Sequence, residues 1–211
     1  MIRKFLEKRI QKKLKEGWLC YGQDRRERAV SIAQKYIDHP NASIVQDALR
    51  LHGLANYKLK RFDLAIASLE RLSTLTNYKQ DHYSLAISLL NAGEVDRSMQ
   101  CFEQIASAHN PQMAFSLSYG EMILQFGKRL YQLNHYEASV VMLNQLMAFY
   151  SGVRTIDPEI LYTRGIPSFH YFEDWVKNLI PQHHSDPQGW WFRAQRCLPK
   201  EAQAILEVYF I

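Results

Sequence analysis

A pattern of side-chain size that occurs three times along the chain constrains its fold more than any other feature. A Gly or Ala is followed nine residues later by a bulky residue, then after three by a small one and after four by a large apolar one. The three sets are Gly53, Phe62, Ala65 and Leu69; Ala86, Val95, Ser98 and Phe102; and Gly127, Tyr136, Ser139 and Leu143. A size pattern repeated at this interval predicts a stack of helical hairpins.

Apolar spacing predicts two helices and a short turn in each set. The expected helix pairs are residues 47–59 with 63–72, 81–90 with 94–106, and about 112–133 with 136–150. Gly53 and Gly127 lie in the middle of helices, where Gly costs about 1 kcal/mol relative to Ala. That cost is understandable if a second helix crosses closely at each point.

The pattern resembles the tetratricopeptide repeat (TPR) family, whose 34-residue unit has small residues at its eighth and twentieth positions. With Gly53 at position eight, the units begin at Gln46, Lys79 and Gly120, so the resemblance covers residues 46–150. It implies an all-α fold: a right-handed stack of antiparallel helical hairpins, a TPR-like α-solenoid, closed by an irregular helical, aromatic-rich C-terminal cap. Residues 24–37 are expected to be the second helix of one further hairpin.

The resemblance also implies a concave groove lined by the first helix of each unit. The groove positions carried over from the family are Arg50, Leu54, Tyr57, Lys58, Tyr83, Ile87, Lys128 and Tyr131. Leu54 and Ile87 replace the Asn that a clamp for a peptide C-terminal carboxylate would need. The expected ligand is therefore an extended or helical peptide of some acidic character. Packing of several of these side chains against the next unit is the competing interpretation.

The amino-terminal segment is basic and amphipathic. Residues 1–16 contain seven Lys and Arg against two Glu, so the other residues are neutral overall. The spacing of Ile2, Phe5, Leu6, Ile10, Leu14 and Trp18 predicts a helix with one apolar stripe. The stripe is expected either to pack on the hairpins or to lie on an anionic membrane surface, with acidic-partner or nucleic-acid contact as a third possibility. The candidate contact residues are Arg3, Lys4, Phe5, Lys8, Arg9, Lys12, Lys13 and Trp18.

The last quarter of the chain has a different composition. Residues 157–211 hold five of the seven Pro and three of the four Trp, and the size repeat is lost. We expect a helical subdomain that either caps the stack or exposes an aromatic partner-binding face at Trp175, Trp190 and Trp191. The predicted division is a basic helix at 1–18, TPR-like hairpins at 19–152 and an aromatic-rich subdomain at 153–211.

Chemistry-bearing motifs give little support for catalysis. There is no phosphate-binding G-x-x-x-x-G-K, no H-E-x-x-H and no G-x-S-x-G, and the three Cys are widely spaced. We therefore expect no catalytic residues, no metal and no cofactor, with the reservation that the chain could be a fragment of a larger enzyme.

A non-catalytic scaffold that binds a protein or peptide is the leading functional prediction. The alternative is a membrane-recruitment module of a larger assembly or enzyme, such as a glycosyltransferase of surface-polymer synthesis. Self-association is left open, and nucleic acid is disfavoured by the neutral charge of residues 17–211. The expected location is the cytoplasm, with the inner face of the membrane as the alternative.

Overall fold

The computed structural model describes residues 2–109 and 117–211, and gives side chains from Phe5 onward. Within these ranges the regular structure is helical and contains no β-strand, which confirms the predicted all-α fold. Backbone contacts divide the chain into two compact units, Met1–Ser116 and Leu117–Ile211, here called the first and second unit. This division does not coincide with the predicted boundaries at 18/19 and 152/153. The amino-terminal helix packs within the first unit and the aromatic segment within the second.

The first unit consists of three antiparallel helical hairpins. Each helix packs against the next one along the chain. The helices are α1 (Ile2–Gly22), α2 (Arg26–Ala33), α3 (Ala42–Lys58), α4 (Phe62–Leu75), α5 (Lys79–Asn91) and α6 (Val95–Glu103), followed by a 3₁₀ turn at Gln104–Ser107. The helix predicted over 24–37 is present but ends early, at Ala33, and α1 is its partner.

The second unit begins with one more hairpin of the same kind. It is formed by α7 (Tyr119–Gln132) and α8 (Tyr136–Ser151), and shorter helices follow: α9 (Pro158–Thr163), α10 (Phe169–His183), α11 (Pro187–Cys197) and α12 (Lys200–Leu206), with a 3₁₀ turn at Glu207–Tyr209. Ser118 and Glu121 form a capping box that starts α7. The start predicted near Gln112 lies outside the described residues.

All four hairpins turn in the same way. The second residue after each first helix has a positive φ: Asp24 at 59°, Lys60 at 60°, Gly93 at 87° and Asn134 at 65°. In each turn the next backbone N–H donates to the carbonyl five residues earlier, at 2.9, 3.0, 3.0 and 2.9 Å. This is the hydrogen bond of a Schellman cap, which satisfies a carbonyl that the helix end would otherwise leave unpaired. The shared turn shows that α1 and α2 form a hairpin equivalent to the other three.

The small residues of the repeat mark where the two helices of a hairpin cross. A Cβ added to Gly53 would lie 2.7 Å from Cγ of Leu69, and the next hairpin has Ala at the equivalent position. The Ser98 hydroxyl donates to the Ala86 carbonyl at 2.7 Å, and Ser139 donates in the same way to Gly127 at 2.9 Å. Short side chains therefore allow close approach, and in two hairpins a hydroxyl bonds to the opposing backbone.

Candidate partner-binding surfaces

The first helices of the first unit form one face of that unit. In the order α1, α3 and α5 each helix contacts the next, and we call this surface the first-helix face. Leu54, Tyr57 and Ile87 are half-buried on it, and Lys58 is exposed. The Tyr57 hydroxyl accepts a hydrogen bond from Asn91 at 3.3 Å, and the Lys58 ammonium lies 5.9 Å from the Tyr57 ring. These four predicted groove residues thus retain accessible surface.

Arg50, in contrast, is not a free groove cation. Its Nε and Nη2 atoms donate to the two carboxylate oxygens of Asp81, each at 2.7 Å, and Thr76 donates to the same carboxylate at 2.8 Å. Asp81 is only 2% exposed, so the Arg50 charge compensates a buried carboxylate and joins α3 to α5. The Arg50 charge is therefore already paired within the unit and is not available to neutralise an acidic partner.

Tyr83 is a second correction on this face. It is 7% exposed and packs edge-to-face against Phe102, with 6.4 Å between the ring centroids. Burial raises the pKa of its phenol well above the usual value. The side chain holds α5 on α6 and has little surface left for a partner.

One end of the first-helix face contains a hollow of about 400 Å³. Its lining comes from α1, α3 and the residue before α5: Gln11, Leu14, Lys15, Ser43, Ile44, Gln46, Asp47, Arg50 and Tyr78. Within this hollow the Arg50 charge is already paired and Asp47 accepts from the Trp18 indole. Lys15 is the lining cation whose side chain is exposed to solvent.

In the second unit, α10 covers the groove positions of α7. The Lys128 ammonium lies 3.1 Å from the Asp174 carboxylate and 5.5 Å from the Tyr171 ring centroid. Tyr131 packs edge-to-face against His183, which stacks on Tyr136 at 3.6 Å. Lys128 and Tyr131 therefore contact the chain itself, and their assignment to an open groove is corrected. A hollow of about 400 Å³ remains beside them, lined by Glu121, Leu124, Gln125, Lys128, Pro167, Ser168 and Tyr171.

The predicted aromatic binding face is a packed core. Trp175, Trp190 and Trp191 are buried, and the first two indoles donate to Ser139 at 3.1 Å and Asn144 at 2.8 Å. The Trp191 ring stacks on Phe210 at 5.1 Å. Because the indole N–H groups find partners inside the unit, these residues stabilise it. The capping interpretation is the one that agrees with these contacts.

The amino-terminal helix buries part of the apolar stripe that was a candidate for membrane contact. Leu14 is buried, Ile10 and Trp18 pack around it, and Trp18 donates to Asp47 at 2.9 Å. Trp18 is therefore not free for a membrane or a partner. Lys13 bonds to Glu16 at 2.9 Å. No described helix has the length and apolarity needed to cross a bilayer.

The remaining candidates on α1 differ in their surroundings. Phe5 is 68% exposed, and Lys8, Arg9 and Lys12 are also exposed. The side chains of Arg3 and Lys4 lie outside the described part of the chain. Solvent exposure thus leaves Phe5 and the three following cations as accessible contact residues.

A polar cluster lies inside the first hairpin of the repeat pattern. The His52 Nδ1 atom is 2.8 Å from the Ser68 hydroxyl, and the Asn56 side chain donates to the His52 carbonyl at 2.9 Å. Burial lowers the pKa of His52, and Ser68 also donates to the Leu64 carbonyl. These bonds pair most of the buried polar atoms between α3 and α4, although the Asn56 Oδ1 atom has no partner among the described residues. Among the described residues, no group of three or more His, Cys, Asp or Glu is arranged to hold a metal.

The hairpin of α1 and α2 also has a pair of small residues, which the sequence analysis did not identify. Gly17 and Ala29 have the spacing of Gly53 and Ala65, and both are buried. A Cβ on Gly17 would lie 2.6 Å from the Leu51 side chain. The spacing of these small residues alone could have identified the hairpin of α1 and α2.

Comparisons with known proteins add little. No protein-family model matches the chain, and no curated protein matches it. Among solved structures, it is similar to a Bacteroides ovatus protein provisionally described as a protein-binding protein. That match covers 95% of this chain and 96% of the other, at 15% identity and a TM-score of 0.40.

Proposed function

We propose that the chain is a non-catalytic protein-binding module that holds a peptide segment on the first-helix face of its first unit. The observation that carries the proposal is the accessible group of Leu54, Tyr57 and Ile87 beside exposed Lys58. Apolar and aromatic side chains that keep partial exposure on neighbouring helices are the kind of surface that anchors a peptide.

Exposed cations on the first-helix face favour an acidic segment. Residues 1–116 contain 18 Lys and Arg against 12 Asp and Glu, and residues 1–16 account for 7 and 2 of these, so most of the excess positive charge lies on α1. Arg50 is neutralised by Asp81. The exposed cation beside Leu54 and Tyr57 is Lys58, and the exposed cation that lines the hollow is Lys15. A peptide with apolar anchors and acidic neighbours would complement this arrangement.

Selection from a displayed library of random peptides tests the proposal without a known partner. Peptides enriched on the wild-type chain should combine Asp or Glu with apolar or aromatic residues. Leu54→Asp and Tyr57→Ala should each weaken the selected peptides by about tenfold or more, as expected for anchor positions that cost over 1.4 kcal/mol.

Matched controls separate this face from the rest of the surface. Leu64 is 50% exposed on α4, and Tyr162 is exposed in the second unit. Leu64→Asp and Tyr162→Ala should leave peptide affinity unchanged. Enrichment of peptides that bind all four variants equally would reject the first-helix face as the binding surface.

A further inference from the structure

Helix α1 has two faces of opposite character. Leu14 and Gly17 are buried against the following helices, and Ile10, Trp18 and Tyr21 pack around them. Phe5, Lys12 and Leu19 are spaced by seven residues, so they lie in one line on the other side of the helix. Packing therefore uses Ile10, Leu14 and Trp18 of the predicted apolar stripe. Phe5 and Leu6 of that stripe remain exposed, and Phe5 lies on the opposite, accessible side of the helix.

This outer face combines exposed apolar and basic side chains. Phe5 is 68% and Leu19 64% exposed, and between them Lys8, Arg9 and Lys12 are exposed as well. Among the described side chains, these three cations have no carboxylate partner. The Glu16 carboxylate is bonded to Lys13 at 2.9 Å and to Arg28 at 2.6 Å, so it does not neutralise them.

Basic residues of α2 extend this positive surface. A hollow of about 320 Å³ lies between α1 and α2 and is lined by Lys13, Glu16, Arg28, Ser31, Ile32, Lys35 and Tyr36. Three of these side chains are cations and one is an acid. The outer face is therefore bordered by three further cations, two of which share the Glu16 carboxylate, and by the hydroxyls of Ser31 and Tyr36.

We propose that the outer face of α1 binds the surface of a bilayer that contains anionic phospholipid. Cations near such a surface each strengthen binding about fivefold, and exposed Phe and Leu side chains on the same face can enter the boundary with the acyl chains. Phosphates of nucleic acid would attract the cations but would leave Phe5 and Leu19 without a comparable environment. The charge and the apolar residues together therefore favour lipid, and the binding is independent of the peptide face.

Co-sedimentation with vesicles tests this assignment. The full chain should bind vesicles of phosphatidylcholine mixed with phosphatidylglycerol and should not bind phosphatidylcholine alone. The triple variant Lys8→Gln, Arg9→Gln, Lys12→Gln should lower the partition coefficient on the order of 100-fold, at about fivefold for each cation. Phe5→Ser should lower it by about tenfold through lost apolar burial.

Control variants match the charge change or the residue type of the test variants. Arg61, Arg71 and Arg97 are exposed and paired with Glu27, Asp38 and Glu70. Replacing these three by Gln changes the charge equally and should leave most of the vesicle binding in place, as should Leu64→Ser. Far-UV circular dichroism confirms that each variant is folded.

Several results would overturn the assignment. They are binding that ignores anionic lipid, an equal loss in the two triple variants, or binding of an RNA or DNA duplex but not of vesicles. Leu54→Asp should retain vesicle binding whether or not the peptide proposal is correct, so failure of one proposal is distinguishable from failure of the other.

Discussion

The two units use equivalent helix positions in opposite ways. Leu54 and Ile87 in the first unit and Lys128 in the second occupy the same place in their hairpins, and the first two keep accessible surface. Lys128 instead lies against α10, whose Asp174 neutralises it. An equivalent hairpin position is therefore accessible in one unit and covered by packing in the other, depending on which later segment of the chain lies over it.

The mid-helix glycines show the same contrast. A Cβ on Gly53 would meet the flexible Leu69 side chain of the same hairpin at 2.7 Å. At Gly127 it would overlap the Trp175 ring of α10 and would lie 2.8 Å from the Cβ atom of Met142 on α8. The small residue therefore accommodates the partner helix of the hairpin in both units, and in the second unit it also accommodates an additional aromatic helix.

Among the substitutions that compare the two units, loss of the Trp175 ring should cause the largest loss of stability. Trp175→Ala should destabilise the second unit by about 3–5 kcal/mol, because it leaves a cavity at Gly127 and removes the indole donor to Ser139. Urea unfolding followed by far-UV circular dichroism measures the loss. Trp18→Ala, at a half-buried position in the first unit, should cost less. Equal losses would contradict the difference in packing.

Breaking the Arg50–Asp81 pair should cause the next largest loss of stability. Arg50→Gln should cost about 3 kcal/mol, since it leaves the buried Asp81 carboxylate without its compensating charge. The exposed pair of Arg71 and Asp38 serves as the control, and Arg71→Gln should cost under about 1 kcal/mol. Urea midpoints of the two variants provide the measurement. Equal costs for the two changes would identify Arg50 as an ordinary surface cation whose charge is available to a partner.

The glycine contrast predicts that substitutions at Gly127 and Trp175 are energetically coupled. Gly127→Ala should cost about 2 kcal/mol in the wild-type chain, because the added methyl group meets the rigid Trp175 ring. In the Trp175→Ala background the same change should cost clearly less, because only the contact with the Met142 Cβ atom at 2.8 Å then opposes the helix preference of Ala over Gly. A double-mutant cycle in urea measures this coupling, with Gly53→Ala as the comparison. Additive costs would place the clash elsewhere.

The hairpins were predictable because their signal is local. Gly53 with Ala65, Ala86 with Ser98 and Gly127 with Ser139 meet inside single hairpins, so their spacing directly reflects helix crossing. The same argument applies to Gly17 and Ala29.

The fate of each surface depended on longer-range contacts. Nothing in the spacing around Lys128 indicates that α10 will lie over it, 46 residues later in the sequence. In the same way, Tyr83 and Trp175 are surface candidates until Phe102 and Ser139 are placed beside them. Residue type identified the large aromatic and charged side chains that make strong contacts. Only tertiary packing decides whether such a side chain contacts its own chain or stays available to a partner.

Buried histidines give the first unit a response to pH. Burial lowers the pKa of His52, and it lowers that of His82 against a smaller opposing effect of the Asp81 charge. Because the unfolded chain then binds more protons, stability is complete above about pH 6.5 and declines as the pH falls towards the folded-state pKa values. The slope should not exceed about 1.4 kcal/mol per pH unit for each histidine.

Replacement of His52 should reduce this slope. Urea midpoints of His52→Gln, measured from neutral to mildly acidic pH, should vary less with pH than those of the wild type, whatever the variant loses in stability at neutral pH. His170 is exposed on α10, and His170→Gln should leave the slope unchanged. A wild-type slope in the double variant His52→Gln, His82→Gln would show that carboxylates, and not these imidazoles, control the acid response. In that case the two units would differ in packing but not in a histidine-dependent response to pH.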